Sequence, residues 1–307
     1  MTTTVERPVA AAEVPRHRAP GVGAGAGALN LLNGAFLLIW GLLTTLPLLW
    51  AMVSSFKTNS EFLSSPFGLP SVARFENFAR AWTAANIGQY FVNSVIVVVI
   101  SVPLTMLLGA MAAYVLSRYQ FPGNRIIYFA FVGGLIFPVF LALVPLFFVV
   151  RNLGTVPVIG QFLGLNSYLS LALVYVAFSM PFTVFFLTAF FRTQPTSIAE
   201  AAIVDGCSHF GLFFRVMLPM ARPGLISVGL FNVLGHWNQY VLPVVLMNEP
   251  DKKVLAQGLA ALAISQGYRG DWTALFAGLV IALLPVLIVY ILFQRQVQAG
   301  LTAGVLK

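Results

Sequence analysis

Six long apolar runs, separated by shorter polar stretches, dominate the chain. They cover residues 31–53, 91–116, 126–150, 168–191, 223–247 and 273–293, and none contains Asp, Glu, Lys or Arg. Crossing a hydrocarbon layer about 30 Å thick takes ~20 apolar residues in a helix. A charge at mid-bilayer costs roughly 2.5–3.5 kcal/mol on insertion scales, so clean runs of this length predict membrane spans. No run alternates strictly between apolar and polar positions, which disfavours a β-barrel and leaves helices to satisfy the backbone in lipid. The expected fold class is all-α: a polytopic membrane protein with six transmembrane helices.

Every run carries proline: Pro47, Pro103, Pro138 with Pro145, Pro181, Pro243 and Pro285. An interior proline removes one backbone hydrogen bond and invites a kink. Two readings stay open, kinks absorbed by neighbouring helices and a bundle that must bend.

Composition excludes the ordinary alternatives. Of 307 residues, 59% are hydrophobic and 8% charged, against roughly 25% charged in a soluble domain. That rules out a soluble globular protein and a disordered one. The single cysteine, Cys207, excludes a disulfide framework, and His17, His209 and His236 lie too far apart in sequence to suggest a metal site. The net charge of +8 suits anionic lipid. Basic residues do not cluster with aromatics on a soluble module, so nucleic acid is not an expected partner. Residues 1–30 read as a flexible arm rich in Pro, Gly and Ala. An even number of spans puts both termini on one side. Placing them inside divides the basic residues ten to seven in favour of that side, a weak positive-inside bias.

The connection 192–222 is punctuated like a small folded unit. Ser197 and Glu200 have the spacing of a capping box. Ile198, Ala201, Ala202 and Asp205 follow at helical spacing, and Gly206 stands where a left-handed terminator belongs. Ser208 can cap a second helix carrying Phe210, Phe213, Phe214 and Met217, expected to pack back on the bundle or the interface. The first helix is expected to project Ala201 and Ala202 outward, with Glu200 at its rim. Such an element suits insertion into a groove on another protein, or lies flat as an interfacial helix.

Glu200-Ala201-Ala202, three residues, Gly206, nine residues, Val216, one residue and Leu218-Pro219 resembles the signature of ABC-type importer permeases. That signature is Glu-Ala-Ala, three residues, Gly, nine residues, Ile, one residue and Leu-Pro; the departure is Val216. Two further stretches, Phe231 to Tyr240 and Gly300-Leu301-Thr302-Ala303-Gly304, are similar to carbohydrate-uptake permeases related to the smaller membrane subunit of the maltose importer. The resemblance implies a type I importer permease fold over residues 31–293, in a bacterial plasma membrane, with both termini cytoplasmic. It implies that Glu200, Ala201, Ala202, Asp205, Gly206, Leu218 and Pro219 form a cytoplasmic element coupled to an ATPase. Within the tail 294–307, it implies ATPase contacts for Gly300, Leu301, Thr302 and Gly304. The implied partners are a second permease subunit, two ATPase subunits, an extracytoplasmic solute-binding protein and a di- or oligosaccharide substrate. ATP and Mg would be bound by the partner ATPase, with no cofactor in this chain.

Inside the runs the strongest polar groups are Asn93, Asn232, His236, Asn238 and Gln239. They form either helix-to-helix hydrogen bonds, worth about 0.6 kcal/mol each in membranes, or a polar wall along a sugar route. In the second case Trp237 and Tyr240 would stack on pyranose faces. None of the four lysines follows a glycine, so the chain has no P-loop and cannot hydrolyse ATP by that means. The rival class, an ion-coupled secondary transporter of a small polar solute, normally buries carboxylates in its spans. These runs have none, leaving His236 as the candidate. Paired carboxylates or a nucleophile with its base are also lacking, so no enzymatic activity is expected.

Overall fold

The computed structural model describes residues 24–302, with side chains over 29–265 and 270–294. The expected arm up to residue 23, the tail position Gly304, and the side chains of Leu301 and Thr302 lie outside the described residues. The first helix, α1 (Ala24–Ser54), starts inside the stretch expected to be an arm, so Gly25 and Gly27 are helical. It contains Pro47, and up to Trp50 it is a compact unit by itself. Within it the Phe36 and Trp40 rings stack at 6.5 Å, and Thr44 donates to the Trp40 carbonyl.

The second unit follows the order α2 (Asn59–Ser64), α3 (Glu76–Thr83), α4 (Ile87–Arg118), α5 (Asn124–Ile136), α6 (Val139–Leu153) and α7 (Tyr168–Thr193). It continues with α8 (Thr196–Val204), α9 (His209–Met220), α10 (Arg222–Trp237), α11 (Val241–Leu246), α12 (Leu255–Arg269) and α13 (Trp272–Thr302). No strand occurs among the described residues. Residues 294–302, expected to begin a separate tail, continue α13.

Four helices are uninterrupted and long enough to cross a bilayer: Leu29–Ser54, α4, α7 and Trp272–Gln294. The other two expected spans are not single helices, and the count reaches six only if α5 with α6 and α9 with α10 each make one crossing, the second of these pairs not being the expected run 223–247. The third run bends by 103° between α5 and α6, at Phe137 and Pro138, both extended. Proline lacks the N–H that would continue the helix and pushes its predecessor out of helical geometry. The fifth run, expected over 223–247, stops at Trp237 and unwinds over 238–240 before α11. The cause is local. Asn238 Nδ2 donates to the Leu234 carbonyl at 2.9 Å, and the Gln239 side-chain oxygen accepts from the Tyr240 amide at 3.1 Å. The Gln239 side chain thus takes the Tyr240 amide that a continuing helix would use, while the Leu234 carbonyl keeps its helical bond from the Asn238 amide at 3.1 Å.

Packing centres on α4 and α7, which run against each other, with α10 lying on both and α13 on α10. At the α4–α7 crossing Gly109 faces Thr183, and a Cβ at Gly109 would collide with the threonine methyl. Small residues at such crossings allow the close backbone approach that drives packing in lipid. Leu171, Leu187, Phe191, Met217 and Leu246 are fully or nearly fully enclosed.

At the end where α4 begins, polar side chains knit the connections together. Lys57 is fully buried, and its Nζ donates to the carbonyls of Ser65 and Pro66 at 3.0 and 2.8 Å. Those carbonyls follow the C-terminus of α2, where a cation is favoured. Asn77 Nδ2 donates to the carbonyls of Ser55 and Lys57, each at 2.8 Å. Arg80 pairs with Asp271 at 3.4 Å and donates to Thr273. A capping box does exist here, between Thr58 and Glu61. Glu61 also accepts from the Ser71 hydroxyl and amide. The Ser71 hydroxyl first, then the Thr58 and Ser71 amides, hold its carboxyl down to about 2.

Candidate functional site

The 192–222 connection is a short helix, a turn and a wide helix. Pro195 occupies the N-cap of α8 and no side chain caps it, so the capping box expected from Ser197 and Glu200 does not form. With Thr196 already helical, Ser197 lies inside the helix and has no position from which to cap.

The far end of α8 matches its expectation. Gly206 adopts φ +84°, a left-handed conformation that glycine accepts without steric cost. The Gly206 amide donates to Ile203 and the Cys207 amide to Ala202, at 3.0 and 2.9 Å. This pair of bonds is a Schellman motif, which satisfies the carbonyls at the helix end. Ser208 then caps α9 by accepting from the Gly211 amide at 3.2 Å. Over Leu212–Met217 the helix widens to π geometry.

The two faces of α8 differ from the expected arrangement. Ala199 and Ala202 are half-buried, packed on the cluster formed by Tyr114, Phe191, Phe213 and Met217. Glu200, Ala201, Val204 and Asp205 face outward, with Val204 86% exposed. So Ala201 projects and Ala202 does not: adjacent residues on a helix lie about 100° apart, and docking α8 on the core uses one of them. Phe213 and Met217 pack back as expected, whereas Phe210 and Phe214 remain exposed. The segment is fastened at both ends. Arg118 donates to the Gln194 carbonyl at 2.7 Å, Gln194 Nε2 to the Met217 carbonyl at 3.2 Å, and Tyr119 bonds His209 at 3.0 Å. Leu218 and Pro219 sit in the last turn of α9, just before the 78° bend into α10.

The expected polar wall is kept in part. Asn93 donates to the carbonyls of Asp251 and Lys253 and accepts from Gln89 and Tyr168, so it clamps a connection. Asn232 is buried and donates to Thr183 Oγ1 at 3.0 Å and the Val228 carbonyl at 3.1 Å. Trp237 is buried, with its indole N–H on the Ala282 carbonyl at 3.1 Å and its ring edge-on to Phe91. That ring is packed in the core and presents no face for a sugar. Asn238 and Tyr240 are exposed in the unwound stretch.

Asn232, His236 and Gln239, at i, i+4 and i+7, do share a cleft of about 330 Å³, walled by Tyr175, Phe178, Ser179 and Phe231. His236 is held on both sides, Nδ1 by Ser101 at 2.7 Å and Nε2 by Ser179 at 2.8 Å. Sequence reasoning missed Ser101, Ser179 and Tyr175. Their signal was present, as hydroxyls inside apolar runs, but serine and tyrosine are common enough there to pass as packing. No group of three or more metal-ligating side chains comes together among the described residues.

This architecture has close counterparts. One solved structure, of a bacterial ABC transporter involved in import of the acidic polysaccharide alginate, matches with TM-score 0.74 at 20% identity, covering 90% of this chain and 99% of that one. The diacetylchitobiose uptake system permease protein NgcG of Streptomyces coelicolor is 52% identical over 90% of this chain and 88% of its own. The probable ABC transporter permease protein YurM of Bacillus subtilis is 33% identical over 89% and 87%. Residues 105–302 match the family described as binding-protein-dependent transport system inner membrane component, and this chain is a member of that family.

Proposed function

We propose that this chain is one membrane-spanning subunit of an ATP-driven importer for short oligosaccharides, with a chitin-type disaccharide as the first substrate to test. The observation that carries the substrate class is the 52% identity, along nearly the whole chain, to a diacetylchitobiose uptake permease. An alginate importer solved with a sugar-loaded periplasmic protein has the same fold, at TM-score 0.61, 18% identity and coverage of 87% and 95%, and supports a solute-binding partner.

In this reading α8 is the point where a separate ATPase engages. Glu200, Ala201, Val204 and Asp205 form the contacting ridge, and Gly206 sets the angle at which it stands. The α8 end of the bundle then faces the cytoplasm, with both termini on that side. A second permease subunit, two ATPase subunits and a solute-binding protein complete the assembly, ATP and Mg residing on the ATPase. Of the polar groups of the fifth run, Gln239 lines the cleft, and Asn238 and Tyr240 are exposed beside the break, where a passing sugar meets them. His236 and Asn232 line the same cleft and also hold helices together through their hydrogen bonds.

The test is uptake of labelled N,N′-diacetylchitobiose into vesicles carrying the assembled complex and its binding protein. Uptake should require internal ATP and survive a protonophore. Uptake that persists without ATP and collapses with the proton gradient would replace this reading with an ion-coupled carrier.

A further inference from the structure

Where α4 ends and α5 begins, at the same end as α8, the chain forms a hollow of about 560 Å³. Two arginines from different elements line it, Arg125 in the first turn of α5 and Arg192 in the last turn of α7. Each guanidinium lies on an aromatic ring of α5. Arg125 sits 5.6 Å from the centre of Phe129, and Arg192 sits 5.2 Å from the centre of Tyr128. Stacking of this kind orients a planar cation while leaving its N–H donors unused. Neither arginine forms an ion pair with a described residue. Gln120 and Asn124 complete the polar wall, and no carboxylate lines the hollow. The start of α5, a helix of 13 residues with no side-chain cap, adds positive potential on the same side.

The surroundings select among anions. Directly beside the hollow, Ile126 is 76% and Phe129 54% exposed, on a helix that buries no residue within this chain. A soluble anion gains nothing from that surface. An amphiphile with a phosphate at one end and hydrocarbon at the other uses both parts. We propose that Arg125 and Arg192 bind the phosphodiester of an anionic phospholipid, with its acyl chains lying along Ile126 and Phe129. Two stacked guanidiniums provide up to two forked donor pairs for the phosphate oxygens. The site stands independently of which solute the protein carries. It also adjoins the first residue of the 192–222 connection, so lipid charge is read where that connection leaves α7.

The test uses the purified assembly in mixed micelles containing equal phosphatidylglycerol and phosphatidylcholine, with retained lipid counted by native mass spectrometry. The wild type should retain phosphatidylglycerol preferentially. R125Q/R192Q should lower that retention by about thirtyfold, the scale expected for two basic contacts at an anionic surface. R215Q removes an exposed charge at the same end outside the hollow and should change nothing. R125K/R192K keeps the charge but loses the stacked fork, and should fall between wild type and the glutamine pair. If the glutamine pair fails to assemble, the lysine pair decides. Equal retention by wild type and the decisive pair would overturn the proposal. So would equal retention of phosphatidylcholine, or full displacement of the lipid by excess inorganic phosphate.

Discussion

Ser101 on α4 and Ser179 on α7 hold the His236 ring of α10 between them, each hydroxyl within 2.8 Å of one ring nitrogen. One side chain therefore joins three helices. His236→Ala would leave two hydroxyls without their partner in a largely buried setting. Each unsatisfied group costs about 1–3 kcal/mol, so the variant should melt several degrees lower. Thermal unfolding of the purified assembly reads this directly. If His236 instead carried a coupling proton, stability would hold and uptake would lose its pH dependence.

Tyr175 presents the opposite case. Its hydroxyl is buried and meets no hydrogen-bond partner among the described residues. Tyr175→Phe removes a polar atom and keeps the ring, so stability should stay within about 0.5 kcal/mol of wild type or rise. A loss of more than ~1 kcal/mol in a denaturation assay would mean that the hydroxyl has a partner after all.

Ala201 and Ala202 separate two roles on one helix. Ala201→Trp adds bulk on the outward ridge and should block co-purification of the ATPase while leaving the melting temperature unchanged. Ala202→Leu pushes against Phe213 and Met217 and should cost about 1–3 kcal/mol of stability. Identical behaviour of the two variants would contradict the two-faced placement of α8.

Gly206→Pro addresses the angle of the ridge. At φ +84° proline cannot be accommodated, and it also lacks the amide that donates to Ile203. The variant should insert and express but lose uptake and substrate-stimulated ATP hydrolysis together. Retention of both would remove α8 from the coupling role.

Glu61 supplies a pH dependence at the other end. Its carboxyl is lowered from 4.5 to about 2 by Ser71 and Thr58. A lowered carboxyl contributes stability that is present above the unfolded value and lost as pH falls through the folded one. Protection of the Ser71 amide should therefore persist at neutral pH and fade between about 4.5 and 2. Glu61→Gln is the reference and should show no such loss in hydrogen exchange.

How far the sequence reveals the protein depends on the range of each interaction. Gly206 and Ser208 were legible because a helix stop and the next cap involve residues within five positions. The α8 capping box failed for an equally local reason: the helix begins at Thr196, directly after Pro195, so Ser197 is already inside it. Apolar length marked the spans, yet length alone says nothing of direction. The 103° bend at Pro138 and the unwinding after Trp237 start from local chemistry, a proline and the Gln239 side chain, but neither residue type specifies the angle that results. The polar residues of the fifth run were the least legible. Trp237 finds Ala282, 45 residues away, and Asn232 finds Thr183, 49 residues away. No spacing rule within one helix points to either partner.

The early end of α10 has a mechanical consequence. Because the helix leading away from α8 stops at Trp237 and is tied there to Ala282, it acts as a short crank and not as a rod through the whole bundle. Under the coupling proposed for α8, the contact open to a thrust at Arg222 is sideways, into α13, whose first residue follows the Arg80–Asp271 pair at the opposite rim.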